Sequence, residues 1–368
     1  SKFFENIGMV SDALWSDFNN DGYSDLIIVG EWNHIQFLQN DKKGSFKNIS
    51  KNTNIEKTKG WWKSITASDI DQDGDIDYIV GNQGCNSLYK ISENCPMRIY
   101  AKDFDENSSF DFIPTYFLKN TKEVIEETSY HSKGDLIKEL ISYRKKFKTH
   151  KELGVAVIDS IIPNKIRPGC MIAEANWCHT SLIINLGNGK FEIKKLNLEA
   201  QFSSIQAIQI FDCNDDGMQD IIISANDYGY ELTNGRMDAS IGVILINEGN
   251  HNFKTAKAKE HGLYLDGDQR SLVVLKSSDG KLNLFSSASN GPIKQYINSS
   301  HFKWYQWNEE DKYLIAFDTN NRPMGKIEKY NGNTRLSQNS KHQPLSSKIF
   351  NIQVFNYKNE SRKIKLWN

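Results

Sequence analysis

The chain lacks most of the features that would assign it quickly. No apolar run approaches the ~20 residues that a membrane-crossing helix needs. Neither sign of charge prevails: 45 Lys and Arg stand against 46 Asp and Glu, a net charge of -1 with no basic stripe. That balance excludes binding driven by a nucleic-acid backbone. The 5 cysteines are odd in number and show no CxxC spacing, which argues against a structural zinc site. Cys85 with Cys95, or Cys170 with Cys178, could bridge in an oxidising compartment, with free thiols the simpler reading; Cys213 reads as a small core residue. There is no serine elbow and no HExxH, and the 8 histidines are scattered. Among them His179, in NWCHTS, reads as a packing or surface residue. No signal peptide is visible, and SKFFENIG looks like a chain already in progress, so a fragment of something longer is expected.

What the chain does have is a recurring short acidic loop. In DIDQDGDID, Asp69, Asp71, Asp73 and Asp77 fall at positions one, three, five and nine. Gly74 stands at position six, where a tight turn needs positive φ. Such a loop can curl around a hard cation, with the Asp75 carbonyl as a backbone ligand at position seven. The first half reads like an EF-hand, but position twelve is Val80 inside an apolar run, so a β-strand follows instead of a helix. The signal recurs as DFNNDGYSD, with Asp17, Asn19, Asp21, Tyr23 and Asp25, and as DCNDDGMQD, with Asp212, Asn214, Asp216, Met218 and Asp220. Each copy lies between two strand-like runs. A weaker copy, DFDENSSFD, offers Asp103, Asp105, Asn107 and Asp111, with Ser108 where the others have glycine. Three calcium sites and a doubtful fourth are therefore expected.

The copies divide residues 1–298 into about five units that look like blades of a β-propeller, an all-β fold. The second unit lacks a clear fourth strand. The third is expected to start at MRIYAKDF, continue through DFIPTYFL and resume at SLIINLGNGKFEIKKL. Loop starts lie 52, 34 and 109 residues apart, and the long gap holds a helical insertion at about 119–168. There Leu136, Ile137, Leu140, Ile141 and Tyr143 recur at helical spacing, predicting two helices split near Thr149. The basic run Arg144 to Lys148 reads as a solvated helix face. FFENI at the start resembles the last strand of a blade. Residues 299–368 carry alternating runs and read as a small separate β-domain.

The DxNxDGxxD loop followed by DLIIVG is similar to FG-GAP/VCBS repeats, the type found in integrin α-subunit propellers. The order GEW, GWW, GNQG, YAKDFD, ISYRKKF, LGNGKFE, LEAQFS, NDYGYE and GRMDA resembles the ASPIC/UnbV-type repeat proteins more closely. These are related to cartilage acidic protein and occur as surface lipoproteins of Bacteroidetes-type bacteria. RLSQ, at Arg335 to Gln338, resembles that group's C-terminal module. The resemblance implies a calcium-stabilised propeller, often of seven blades, at the outer-membrane surface of a Gram-negative bacterium. An anchor in missing upstream sequence is implied with it. So is a role beside an outer-membrane transporter or other envelope proteins in capturing a glycan or peptide. No catalytic residue comes with it.

Geometry adds an expectation about faces. Loops joining first to second strands carry the metal motif, so loops joining second to third strands emerge at the opposite end. Those loops are longer and richer in aromatics and amides, and recognition is expected there through Trp32, Asn82, Tyr228, Glu231 and Arg236. Trp61 and Trp62 are expected to pack in the core. The leading function is a non-enzymatic extracytoplasmic binding module. The alternatives are a polysaccharide lyase or hydrolase on a calcium-binding propeller, and a purely structural subunit of an envelope complex.

Overall fold

A computed structural model of the chain describes residues 4–120, 122–230, 235–329 and 341–366. It divides into two compact units: residues 1–57, 62–87 and 179–368 form the first, and residues 58–61 and 88–178 the second.

The first unit is built from antiparallel sheets in the manner of a β-propeller. Its first blade is the meander Met9–Ser16, Asp25–His34, Gln36–Asn40 and Phe46–Asn48. The second blade takes Ser64–Ser68 and Asp77–Gly81, then closes with Ser181–Asn185 and Phe191–Lys195. The third is Ile205–Phe211, Asp220–Ala225, Val243–Asn247 and Phe253–Thr255, and the fourth has three strands, Gln269–Lys276, Leu282–Ala288 and Lys294–Asn298. The first strands of successive blades lie against one another, the arrangement of sheets fanned about an axis.

The blades read as continuous apolar runs because both faces are covered. Along DIIISA, Ile221 and Ile223 pack toward the second blade with Ile79 and Leu182. Between them Ile222 points the other way, into a cluster with Leu272 and Leu282 of the fourth. First and second blades meet through Phe18, Phe37, Tyr78 and Phe191, with Phe37 and Phe191 stacked 4.2 Å apart. At Gly81 a Cβ would come within 2.7 Å of Ile205 in the third blade, so only glycine lets these strands approach.

Two assignments differ from the sequence expectation. SLIIN and FEIKK do not belong to a third unit begun by MRIYAKDF; they are the third and fourth strands of the second blade, with Leu182 opposite Ile79. MRIYAKDF instead lies in a separate sheet, Ile125–Ser129, Asp111–Lys119, Met97–Lys102 and Met171–Ala175, inside the second unit. The insertion thus begins near residue 88. Periodicity marks a strand but not its partner, so the long excursion was invisible. Phe4–Ile7 contains no strand.

In the second unit, four short helices (Lys133–Glu139, Tyr143–Lys146, His150–Gly154, Ile158–Ile161) replace the two expected. Ser132 and Thr149 cap two of them by accepting the peptide N–H of Asp135 and Glu152. Leu136, Leu140 and Tyr143 are buried with Ile113 and Tyr100, whereas Ile141 faces solvent, as do Arg144 to Lys146.

The last strands belong to the same compact unit as the blades. Pro323–Glu328, Asp311–Phe317, Asn351–Asn356 and Ser361–Lys365 form one sheet, and Lys303–Gln306 pairs with His342–Leu345. RLSQ lies outside the described residues. Cys95, Cys170 and Cys213 are free thiols, so neither pairing suggested by spacing forms.

Candidate metal centre

All four acidic loops join the first strand of a sheet to the second, and all share one backbone trace. Position four is left-handed in each: Asn20, Gln72, Glu106 and Asp215 have φ between 55° and 65°. Position six is left-handed again, at 90°, 96° and 98° for Gly22, Gly74 and Gly217, and at 69° for Ser108. The loop of the second unit therefore keeps the turn at the expense of a side chain in a region that favours glycine.

Side chains hold this trace by a repeated set of bonds. The first aspartate accepts the position-six N–H in every loop, at 3.0 Å for Asp17, 3.1 Å for Asp69, 2.7 Å for Asp212 and 2.8 Å for Asp103. Position five accepts the position-seven N–H: Tyr23 donates to Asp21, Asp75 to Asp73, Met218 to Asp216 and Ser109 to Asn107. Such bonds turn oxygens inward, and the ninth residue closes the ring. Asp25, Asp77 and Asp220 each accept, through Oδ1, the peptide N–H of the asparagine ending the blade's third strand: Asn40, Asn185 and Asn247. Asp111 accepts the position-two N–H, from Phe104, as Asp77 and Asp220 also do from Ile70 and Cys213.

The donor set fits a hard divalent cation. Asp69 is 2% exposed, yet its Oδ1 has no hydrogen-bond partner, and the same holds for Oδ2 of fully buried Asp25. Such oxygens are costly unless something positive faces them. Burial pushes Asp25 up to about 7, Asp77 to about 8, and Asp69 and Asp220 to about 6, with neighbouring loop carboxylates adding to each rise. A bound cation would remove both penalties. Ligand atoms of Asp69, Asp71 and Asp73 lie within 4.8 Å of one another, and so do those of Asp103, Asp105 and Asp111. Among the described residues no such acidic triad forms in the first or third loop, where Asn19 and Asn214 supply a neutral oxygen at position three.

A family model described as an FG-GAP-like repeat matches residues 17–80, which span the first two loops and the strands between them. The chain carries an FG-GAP-like repeat. No curated protein matches the chain. The loop at Asp212, beyond the matched segment, has the same trace and bonds as the two FG-GAP loops within it, so the repeat geometry extends into the third blade.

The loop end of the FG-GAP blades is not bare. C-terminal strands cover it. Lys312 Nζ reaches Asp17 Oδ2 at 2.7 Å, with both side chains about 95% buried. Glu328 accepts the Asp17 N–H at 3.1 Å, and burial raises its carboxyl above the usual range. The Lys326 N–H donates to Asp69 Oδ2 at 2.8 Å. Ser346 and Ser347 donate to Asp215 in the third loop. These partners lie over a hundred residues from the loops they touch and could not be read from spacing. The closing asparagines had a signal, in LQN, IIN and LIN, that the sequence reading passed over.

Of the residues expected on the other loops, Trp32 instead lies within the strand Asp25–His34, half-buried with φ of 60°, and Asn82 is fully buried, its Oδ1 accepting the Gln83 N–H. Asn82 thus shapes the turn and is not presented to solvent. Arg236 stacks over the Tyr228 ring at 4.8 Å, and both reach solvent. Glu231 lies outside the described residues. Trp61 and Trp62 are buried, Trp62 donating to the Asn33 carbonyl at 2.9 Å.

Proposed function

We propose that the chain is a non-enzymatic extracytoplasmic interaction module, stabilised by calcium in its acidic loops and serving a cell-surface nutrient-capture complex. The observation that carries the cation reading is the set of buried, unpartnered carboxylate oxygens at Asp25 and Asp69 inside loops of one repeated trace. The matched FG-GAP-like repeat supports the interaction role. The motif order resembling ASPIC/UnbV-type surface lipoproteins supports the outer-membrane setting and a transporter or envelope partner. Tyr228 and Arg236 form an aromatic–cation pair on the loops opposite the metal motif, suited to a sugar ring or a peptide carboxylate.

The test is a panel of glycans and peptides screened for binding and for turnover, with calcium and with chelator. Calcium-dependent binding that Tyr228→Ala and Arg236→Ala weaken at least tenfold supports the proposal. Turnover of any panel member overturns the non-enzymatic assignment. Binding indifferent to both variants moves recognition away from this pair.

A further inference from the structure

The second acidic loop differs from the others in what a neighbouring blade places against it. The third blade's hairpin between Val243–Asn247 and Phe253–Thr255 turns through Gly249, Asn250 and His251, at φ of 83°, 51° and 59°. The corresponding hairpin of the second blade turns through Gly187, Asn188 and Gly189, at 74°, 54° and 68°. His251 therefore stands where its counterpart is glycine, in a backbone region that a side chain disfavours. Lys194 holds the turn by donating to the His251 carbonyl at 2.8 Å.

The imidazole makes a specific approach. His251 Nε2 is buried and has no hydrogen-bond partner. It lies 3.2 Å from Asp71 Oδ2 and 3.7 Å from Asp77 Oδ2. The ligand atoms of Asp71, Asp77 and His251 fall within 4.8 Å of one another, and Asp71 is shared with the Asp69–Asp71–Asp73 group. Asp69 Oδ1, in a side chain 2% exposed, is unpartnered as well. Two ligands of one metal at about 2.1 Å lie about 3.0 Å apart at a right angle and about 3.4 Å apart at the tetrahedral angle. The observed separations bracket the tetrahedral value.

We propose that His251 converts the second loop into a mixed nitrogen–oxygen site for a first-row transition cation of the zinc or manganese class. An imidazole nitrogen with two carboxylates selects such ions over calcium, which takes oxygen donors. The first loop has only Gly189 at the corresponding hairpin position and keeps an oxygen donor set. The inference rests on the reading that the loops hold cations at all.

The experiment uses the whole chain, stripped with chelator, and titrates Zn2+, Mn2+ and Ca2+ separately by calorimetry into the parent, His251→Gly and His251→Asn. Glycine suits the left-handed turn, so His251→Gly keeps the backbone, and circular dichroism of the stripped proteins verifies it. The parent is expected to bind one Zn2+ more tightly than Ca2+. Both variants should weaken that site at least tenfold while Ca2+ titration changes less than twofold. Pulsed EPR of the Mn2+-loaded parent with 15N-histidine should show a nitrogen coupling that His251→Gly loses. Equal or tighter Zn2+ binding in His251→Gly overturns the proposal and makes the imidazole a counter-ion to Asp71. Calcium binding without Zn2+ or Mn2+ binding defeats this inference alone; no cation binding at all defeats the loop reading with it.

Discussion

The side-chain amide of Asn247 donates to the carbonyl of Ile70 at 2.9 Å, joining the third blade to the second blade's acidic loop across 177 residues of sequence. The same amide donates to Gln219 within its own blade, and its oxygen accepts from Gly249. Asn185 repeats the arrangement one blade earlier, donating to the carbonyls of Phe18 and Ile76. Each asparagine thus fixes its own loop and the loop before it. Removing a buried partner leaves carbonyls unsatisfied, at about 1–3 kcal/mol. Asn247→Ala should lower the unfolding free energy by that amount, read as a lower urea midpoint with an unchanged slope. A loss under about 0.5 kcal/mol, the scale of an ordinary surface change, would remove the clamp from the argument.

Lys312 and Asp17 form a buried ion pair, and Glu328 lies against the same loop. Breaking a buried pair from one side strands the other charge and costs about 3–5 kcal/mol. Lys312→Met should therefore destabilise the chain strongly. Lys312→Met with Asp17→Asn should recover part of the loss, as read from a double-mutant cycle by denaturant unfolding. Additive losses would mean that the two groups do not interact.

Chelation gives the most direct check of the cation reading. Adding EGTA to the calcium-loaded chain should lower its melting temperature by several degrees, because like-charged, buried carboxylates then face one another. An unchanged melting temperature means the loops stand without metal.

The pH dependence of the stripped chain has a definite sign. Burial raises Asp25 to about 7 and Asp77 to about 8 from 3.8. A carboxyl raised on folding contributes stability below its unfolded value and loses it as pH climbs through the folded one. Stability of the metal-free chain should therefore fall between about pH 4 and pH 8 on account of these groups, and calcium should flatten that fall. Melting curves across this window, with and without calcium, measure it.

Ser108 adopts φ of 69° where the other loops have glycine. Ser108→Gly should relieve a left-handed side chain and stabilise the second unit by about 1 kcal/mol, less the added unfolded-state entropy of glycine. Hydrogen exchange in Met97–Lys102 and Asp111–Lys119, the strands this loop joins, would report the change; slower exchange is the expected direction.

The acidic loops were legible from the sequence because the bonds that set their turn lie within nine residues. Asp69 accepts the Gly74 N–H, Asp73 accepts the Asp75 N–H, and glycine at position six takes the left-handed turn. The blades were legible for the same reason, since runs such as DIIISA state how many faces are covered. Tertiary structure alone decided which strand completes which blade, because SLIIN carries no mark of its partner Asp77–Gly81 across the excursion between them. It also decided that Lys312 meets Asp17 and that His251 reaches Asp71, contacts that depend on how sheets pack. Local bonds write themselves into spacing; pairing between distant segments is fixed only when the chain has closed on itself.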